Sequence, residues 1–128
     1  MRFLVDTHLL LWGAEASPRL SRIARGLLGN PNHELMFSAA SIWEIAIKHG
    51  KGRRDFAAEP HLFRAALLRS SFSEIDVTGI HAVTVAALPP IHKDPFDRIL
   101  IAQAMVEGIT LLTADPVIAR YPGPIRKV

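Results

Sequence analysis

Cysteine is absent from the 128 residues of this chain. Disulfides and thiolate metal sites are thereby excluded, and a reducing compartment is compatible with the sequence. Long apolar runs are lacking too. No uncharged apolar stretch reaches the roughly 18 residues that suggest a membrane span. Asp6 interrupts the first apolar run too early for a signal peptide, so a cytoplasmic protein without membrane association is expected. There is no internal repeat, no low-complexity tract and no interdomain linker, and the length is most simply one domain, 1–128. The six histidines are scattered without metal-ligand spacing, and no Ser-His-Asp arrangement is evident.

Apolar residues make up 49% and charged residues 21%, the composition of a globular chain. The apolar share is high enough to leave room for an exposed hydrophobic patch, and so for a protein partner. The formal net charge of +3 is compatible with a polyanionic ligand without requiring one.

The pattern of apolar residues predicts alternating strands and helices. Met1 to Val5 reads as a strand that ends abruptly in Asp6, and His8-Leu9-Leu10-Leu11-Trp12 opens a helix. A second helix is predicted over Pro18–Leu28, stopped by Gly29-Asn30-Pro31-Asn32, and Leu35–Ser38 is a short strand. Ser38 caps a third helix that ends at Gly50; almost every face of it is apolar, which predicts burial. Trp12 and Trp43 read as core residues rather than base-stacking platforms. Pro60–Leu68 is a fourth helix and Phe72–Val77 a third strand. Thr78 caps a helix over Gly79–Leu88 that Pro89-Pro90 ends. Asp94-Pro95 opens another helix, which Gly108 closes. Ile109–Leu112 is a buried parallel strand, Asp115-Pro116 a helical turn and Ile125–Val128 an edge strand. This order predicts an α/β fold, a three-layer α/β/α sandwich around a mainly parallel sheet.

Five acids stand at informative places in that order. Asp6 and Asp115 directly follow strands, where open parallel sheets bind their ligands. Both also suit helix capping. Asp94 and Asp97 open one helix, where one acid suffices as a cap. Glu44 lies inside an apolar helix, so it must be paired, protonated or metal-bound; Lys48 one turn on is its natural ion-pair partner. If these elements share one end of the sheet, their carboxylates crowd together. Two unit charges about 4 Å apart repel by roughly 4 kcal/mol at an effective dielectric near 20. A cation or a proton relieves that repulsion, and an all-oxygen donor set favours Mg²⁺ or Mn²⁺ over Zn²⁺. An acidic metal pit in a basic protein suits phosphodiester hydrolysis, with outer cations holding the nucleic acid. The loop cations Lys51, Arg53 and Arg54, together with Lys48, are the candidate phosphate contacts.

Val5-Asp6-Thr7-His8, Ser41-Ile42-Trp43-Glu44-Ile45, Asp94-Pro95-Phe96-Asp97-Arg98 with Ile101-Ala102-Gln103-Ala104, and Leu112-Thr113-Ala114-Asp115 occur in this order across nearly the whole chain. Together they resemble a PIN domain, and more narrowly the VapC toxins of type II toxin–antitoxin systems. The resemblance implies a PIN-like fold and a Mg²⁺- or Mn²⁺-dependent endoribonuclease. It further implies a homodimer, restrained by a small VapB-like antitoxin. It carries the catalytic and metal-binding roles onto Asp6, Glu44, Asp97 and Asp115, with Asp94 in the third motif. Thr7 and Thr113 are expected to orient carboxylates or waters. Arg98 is expected to touch substrate or antitoxin, or to pair with a surface acid. Two other readings compete: a receiver or phosphatase-like phosphoryl-transfer domain, and a non-catalytic nucleic-acid or protein binding module whose acids are only caps.

Overall fold

A computed structural model describes residues 1–128. Its elements are β1 (Arg2–Val5), α1 (Thr7–Ala14), α2 (Arg22–Gly29), β2 (Glu34–Ser38), α3 (Ala39–Gly50), α4 (Pro60–Arg69), β3 (Ser73–Ile75), α5 (Gly79–Val85), α6 (Pro95–Glu107), β4 (Thr110–Thr113) and β5 (Ile125–Lys127). The five strands form one sheet in the order β3-β2-β1-β4-β5, and all four pairings are parallel. The expected α/β sandwich is therefore present, with a sheet that is parallel throughout.

Alternation along the strands builds two cores. Phe3, Val5, Leu35, Phe37 and Leu112 face one way and pack with Leu9, Leu10 and Leu11 of α1, Ala24 of α2, Ile45 of α3 and Phe63 of α4. Leu4, Met36 and Leu111 face the other way, onto Leu100, Ile101 and Ala104 of α6. Strands buried on both faces read as continuous apolar runs, which is why Phe3-Leu4-Val5 and Leu35-Met36-Phe37 show no polar alternation.

The chain runs outward from β1 through β2 to β3, then crosses back to place β4 on the other side of β1. That reversal makes the carboxyl ends of β1 and β4 the switch point of the sheet, where a crevice opens. The Asp6 N–H, donating to Leu112 O at 3.1 Å, ties the two strand ends together.

Several boundaries differ from expectation. The second helix begins at Arg22, because the Ser21 hydroxyl accepts the Ala24 N–H and caps it there; Pro18 and Arg19 lie in a turn. The helix after Thr78 ends at Val85 rather than Leu88. Thr78 and His81 form a reciprocal capping box. Helix α3 is not buried all round: Trp43 is 62% exposed, edge-on to Phe96, and so is not a core residue.

Arg98 is an internal tie rather than a surface contact. Its guanidinium donates to Val85 O at 3.1 Å, Pro89 O at 2.9 Å and the Tyr121 hydroxyl at 3.0 Å. A substrate, antitoxin or surface-acid role for Arg98 is corrected by this placement, since its donors are spent on the carbonyls that end α5. Replacing Arg98 by Met leaves those partly buried acceptors unsatisfied, at about 1–3 kcal/mol each. The expected outcome is a loss of about 3 kcal/mol in urea unfolding. A change under about 0.5 kcal/mol, the usual scale of a surface substitution, contradicts the internal tie.

Candidate metal centre at the sheet switch point

Asp6 caps α1: its Oδ1 accepts the Leu9 N–H at 2.9 Å, and its Oδ2 accepts the Thr113 hydroxyl at 2.5 Å. The side chain is 5% exposed, and burial pushes its pKa up, against the lowering effect of those two hydrogen bonds. Thr113 therefore orients an acid as expected. It also accepts the Asp115 N–H at 3.0 Å, which seats the second strand-end acid beside the first. Thr7 does not share this role. Its hydroxyl donates to Ser41 at 2.9 Å and joins α1 to α3, because as the first residue of α1 it turns away from the pit.

Asp94 and Asp97 split the start of α6 between them. The Asp94 Oδ1 accepts the Phe96 N–H at 2.9 Å as the cap. Asp97, 16% exposed, is left without a capping duty and meets His92 Nε2 at 2.9 Å. Asp115 Oδ2 lies 3.6 Å from the same nitrogen, and its Oδ1 accepts the Val117 N–H at 2.8 Å. One donor atom from each of His92, Asp97 and Asp115 lies within 4.8 Å of the other two.

Glu44 stands one layer back. It is 1% exposed and is paired through Oε2 with Lys48 Nζ at 2.5 Å. Lys48 in turn sits over the rings of Phe56 and Phe96. The ion pair weighed from sequence alone is thus present, but it satisfies only half of the carboxylate. Glu44 Oε1 is buried without a hydrogen-bond partner.

The acids converge on Asp97. Its pKa is pushed up to about 8, first by burial and then by the negative charges of Asp94, Glu44, Asp6 and Asp115. Acids from α1, α3, α6 and the segment after β4 thus act on one carboxyl group. The open hollow at their centre holds about 470 Å³, lined by Asp6, Asp94, Asp97, Asp115, His92 and Lys48 among others. An oxygen-rich donor set, a carboxyl that resists ionisation and an orphaned carboxylate oxygen together fit a hard divalent cation.

The loop cations divide. Arg53 lines the hollow, as does Lys48, whereas Lys51 and Arg54 are exposed and line none of it. Arg19 lines it as well and was not anticipated, since it falls in a turn rather than in the predicted helix. His8 and Trp12 form part of the same wall. His92 is the main residue that sequence spacing missed. The only signal available was its place two residues before Asp94, just ahead of the acidic helix start.

Asp97 sets a pH dependence in metal-free protein. A carboxyl whose folded pKa is raised binds its proton more tightly when folded. Its stabilising contribution is full below the ordinary carboxyl value of 3.8 and is lost as pH rises toward about 8. Asp6 acts with the same sign. In EDTA the unfolding temperature is expected to fall as pH rises from 5 to 8. Asp97→Asn should flatten that fall and raise the value at pH 8. An unfolding temperature that rises over this range, or an Asn variant less stable than the parent at pH 8, contradicts the charge assignment.

Comparison with known proteins identifies the family and the fold. The sequence model of the family described as PIN domain matches residues 3–124. Ribonuclease VapC22 of Mycobacterium tuberculosis (strain ATCC 25618 / H37Rv) is 30% identical over 125 residues, 95% of each chain. Among solved structures, VapBC2 from Rickettsia felis bound to a DNA fragment from their promoter superposes with a TM-score of 0.73 at 16% identity, covering 99% of this chain and 98% of that one. The Sarcin-Ricin loop cleaving toxin VapC20 of Mycobacterium tuberculosis superposes with a TM-score of 0.62 at 17% identity, covering 91% and 92%. At those identities the structures speak to the fold. The family match and the curated relative go further: this chain belongs to the PIN domain family, and it is VapC-like.

Proposed function

We propose that this protein is a metal-dependent endoribonuclease that acts as the toxin of a toxin–antitoxin pair in the cytoplasm. The observation that carries the reading is the convergence of Asp6, Glu44, Asp94 and Asp115 on Asp97 at the switch point. Membership of the PIN family and similarity to a named ribonuclease supply the reaction class. No helix is long and apolar enough to cross a membrane.

Asp6, Asp97 and Asp115 are the proposed ligands of Mg²⁺ or Mn²⁺, directly or through water, with Asp94 at the rim and Glu44 behind Asp97. A bound ion of this kind neutralises the pit and polarises a phosphoryl oxygen toward attack by water. The chain's own residues do the rest. Thr113 holds Asp6 in place. The capping bonds of Asp6 and Asp94 and the turn bond of Asp115 each use one carboxylate oxygen and leave the second outside that bond. Arg53 and Arg19, at the wall of the hollow, are placed to receive the flanking phosphates of RNA, with Lys48 beside them. Lys51 and Arg54 serve at most at a greater distance from the cut.

Two apolar surfaces suit the two expected protein partners. Leu9, Leu10, Gly13, Leu28, Phe63 and Leu67 line a groove of about 350 Å³ between α1, α2 and α4. Helix α1 presents His8 and Trp12 to the acidic hollow and Leu9 and Leu10 to this groove. An amphipathic VapB-like segment seated there has a basic side chain within reach of the acids. A second hollow of about 560 Å³, lined by Trp43, Val77, Val85 and Phe96, lies between α3, α5 and α6 and is the proposed seat of a second copy.

Asn caps a helix about as well as Asp. Asp6→Asn, Asp97→Asn and Asp115→Asn are therefore expected to fold, yet to lose both the thermal stabilisation by Mg²⁺ and the cleavage of RNA. EDTA should abolish cleavage by the parent. Cleavage at the parental rate by all three variants rules out the metal-centre assignment. The antitoxin reading is checked by co-expression with the neighbouring upstream reading frame and pull-down. A small protein should be recovered, and Leu28→Glu, which puts a charge on the half-buried wall of the groove, should release it. Recovery that is unaffected by Leu28→Glu moves the partner to another surface.

A further inference from the structure

We infer that Trp12 is a nucleobase platform: the face of α1 that runs outward from the acidic hollow receives an unstacked RNA base beside the reacting phosphate. The inference rests on the nuclease reading above and adds to it a residue that touches a base rather than a phosphate.

Helix geometry sets the position of the ring. Asp6 caps α1, and His8 and Trp12 lie one turn apart on the same face of it. At about 1.5 Å per residue, Trp12 stands roughly 9 Å beyond the Asp6 cap. It is half-buried: it packs against the core and also lines the hollow that holds the acids. Trp12 is thus only in part the core residue that its apolar pattern implies. The His8 ring props it, with centroids 5.8 Å apart and planes at 49°. His8 in turn meets the buried ring of Phe56 edge-on at 5.6 Å. Such backing limits the side-chain freedom that binding has to remove.

Two arginines of the same hollow are held by local structure. After α1 the chain doubles back through Ala16, at φ +50°. The Ser17 N–H donates to Trp12 O at 2.9 Å, and the Arg19 N–H donates to Ser17 Oγ at 3.2 Å. That reversal returns Arg19 to the hollow. Arg53 donates to Asp55 from Nε at 3.3 Å and from Nη2 at 3.0 Å, and lies over Phe56. Its Nη1 stays outside that pair. An aromatic face for the base with cations for the neighbouring phosphates is the usual way a single strand is held. Trp43, the other tryptophan, lacks this setting. It is 62% exposed, but no charged residue lines the hollow beside it, so nothing there holds a phosphate.

The test uses the full chain carrying Asp97→Asn, which is expected not to cut, and Trp43→Phe, which leaves Trp12 as the one tryptophan. The probes are a short oligoadenylate and an abasic strand of the same ribose phosphates. Binding is read by anisotropy of the labelled strand, and folding by circular dichroism. Oligoadenylate is expected to quench Trp12 emission and to bind about tenfold more tightly than the abasic strand, in the range for one base on one ring. Trp12→Leu should lose that preference, and Trp12→Phe should keep most of it. Arg19→Gln should weaken both probes alike and lower the salt slope by about 0.7, as one phosphate contact requires.

Unquenched Trp12 emission, equal affinity for the two strands, or a preference that survives in folded Trp12→Leu overturns the inference. So does a Trp12→Leu chain that binds oligoadenylate unchanged but no longer retains the small protein partner, since the ring then belongs to that partner. RNA cleavage by the parent in Mg²⁺ is measured alongside. A parent that cuts RNA without the base preference loses only the platform. A parent that cuts no RNA overturns the nuclease reading itself, and this role with it.

Discussion

Mutual repulsion among carboxylates is the constraint that the rest of this structure serves. Four acids act on Asp97, whose pKa burial and those neighbours push up to about 8. A fold that gathers such charges must tie each one down. Asp6 is held by Thr113 and the α1 N-terminus, and Asp94 by the start of α6. Asp115 is held by the turn after β4, and Glu44 by Lys48. Asp97 alone is free of a capping or lysine partner, and its ionisation is opposed by burial and by the four other acids.

This division resolves the ambiguity between capping and chemistry. A capping carboxylate uses one oxygen for a backbone N–H and keeps the other. Asp6 and Asp94 each cap a helix, Asp115 holds the turn after β4, and all three line the hollow. The positive end of a helix dipole steadies a carboxylate that would otherwise be disfavoured so close to its fellows. Capping is thus part of how the acids are held at the site.

Much of this was legible in the chain. The break at Asp6, the Asp94-Pro95 helix start and the strand before Asp115 are local signals, and each element formed as its caps and apolar pattern required. The meeting of the acids was legible through topology, since strand-end residues of a parallel sheet share one edge. What stayed hidden depended on tertiary neighbours. His92 gains its meaning only from where the Pro89–Asp94 turn places it against Asp97. Arg98 reads as a surface cation until the carbonyls after α5 are seen around it. Thr7 and Thr113 look alike beside their acids, yet only Thr113 points at one. Trp43 follows an apolar pattern that implies a core, but the hollow beside Phe96 leaves it open to solvent.

Thr113 and Asp6, joined by one hydrogen bond, are 107 residues apart in the chain. Between them the polypeptide must lay down β2 and β3 and return across the sheet before β4 can dock beside β1. A growing chain on the ribosome therefore carries its acids apart, on unconnected pieces, until nearly the whole length has been synthesised. The hollow is complete only once β4 has docked beside β1, and a copy truncated before Asp115 lacks one of its acids.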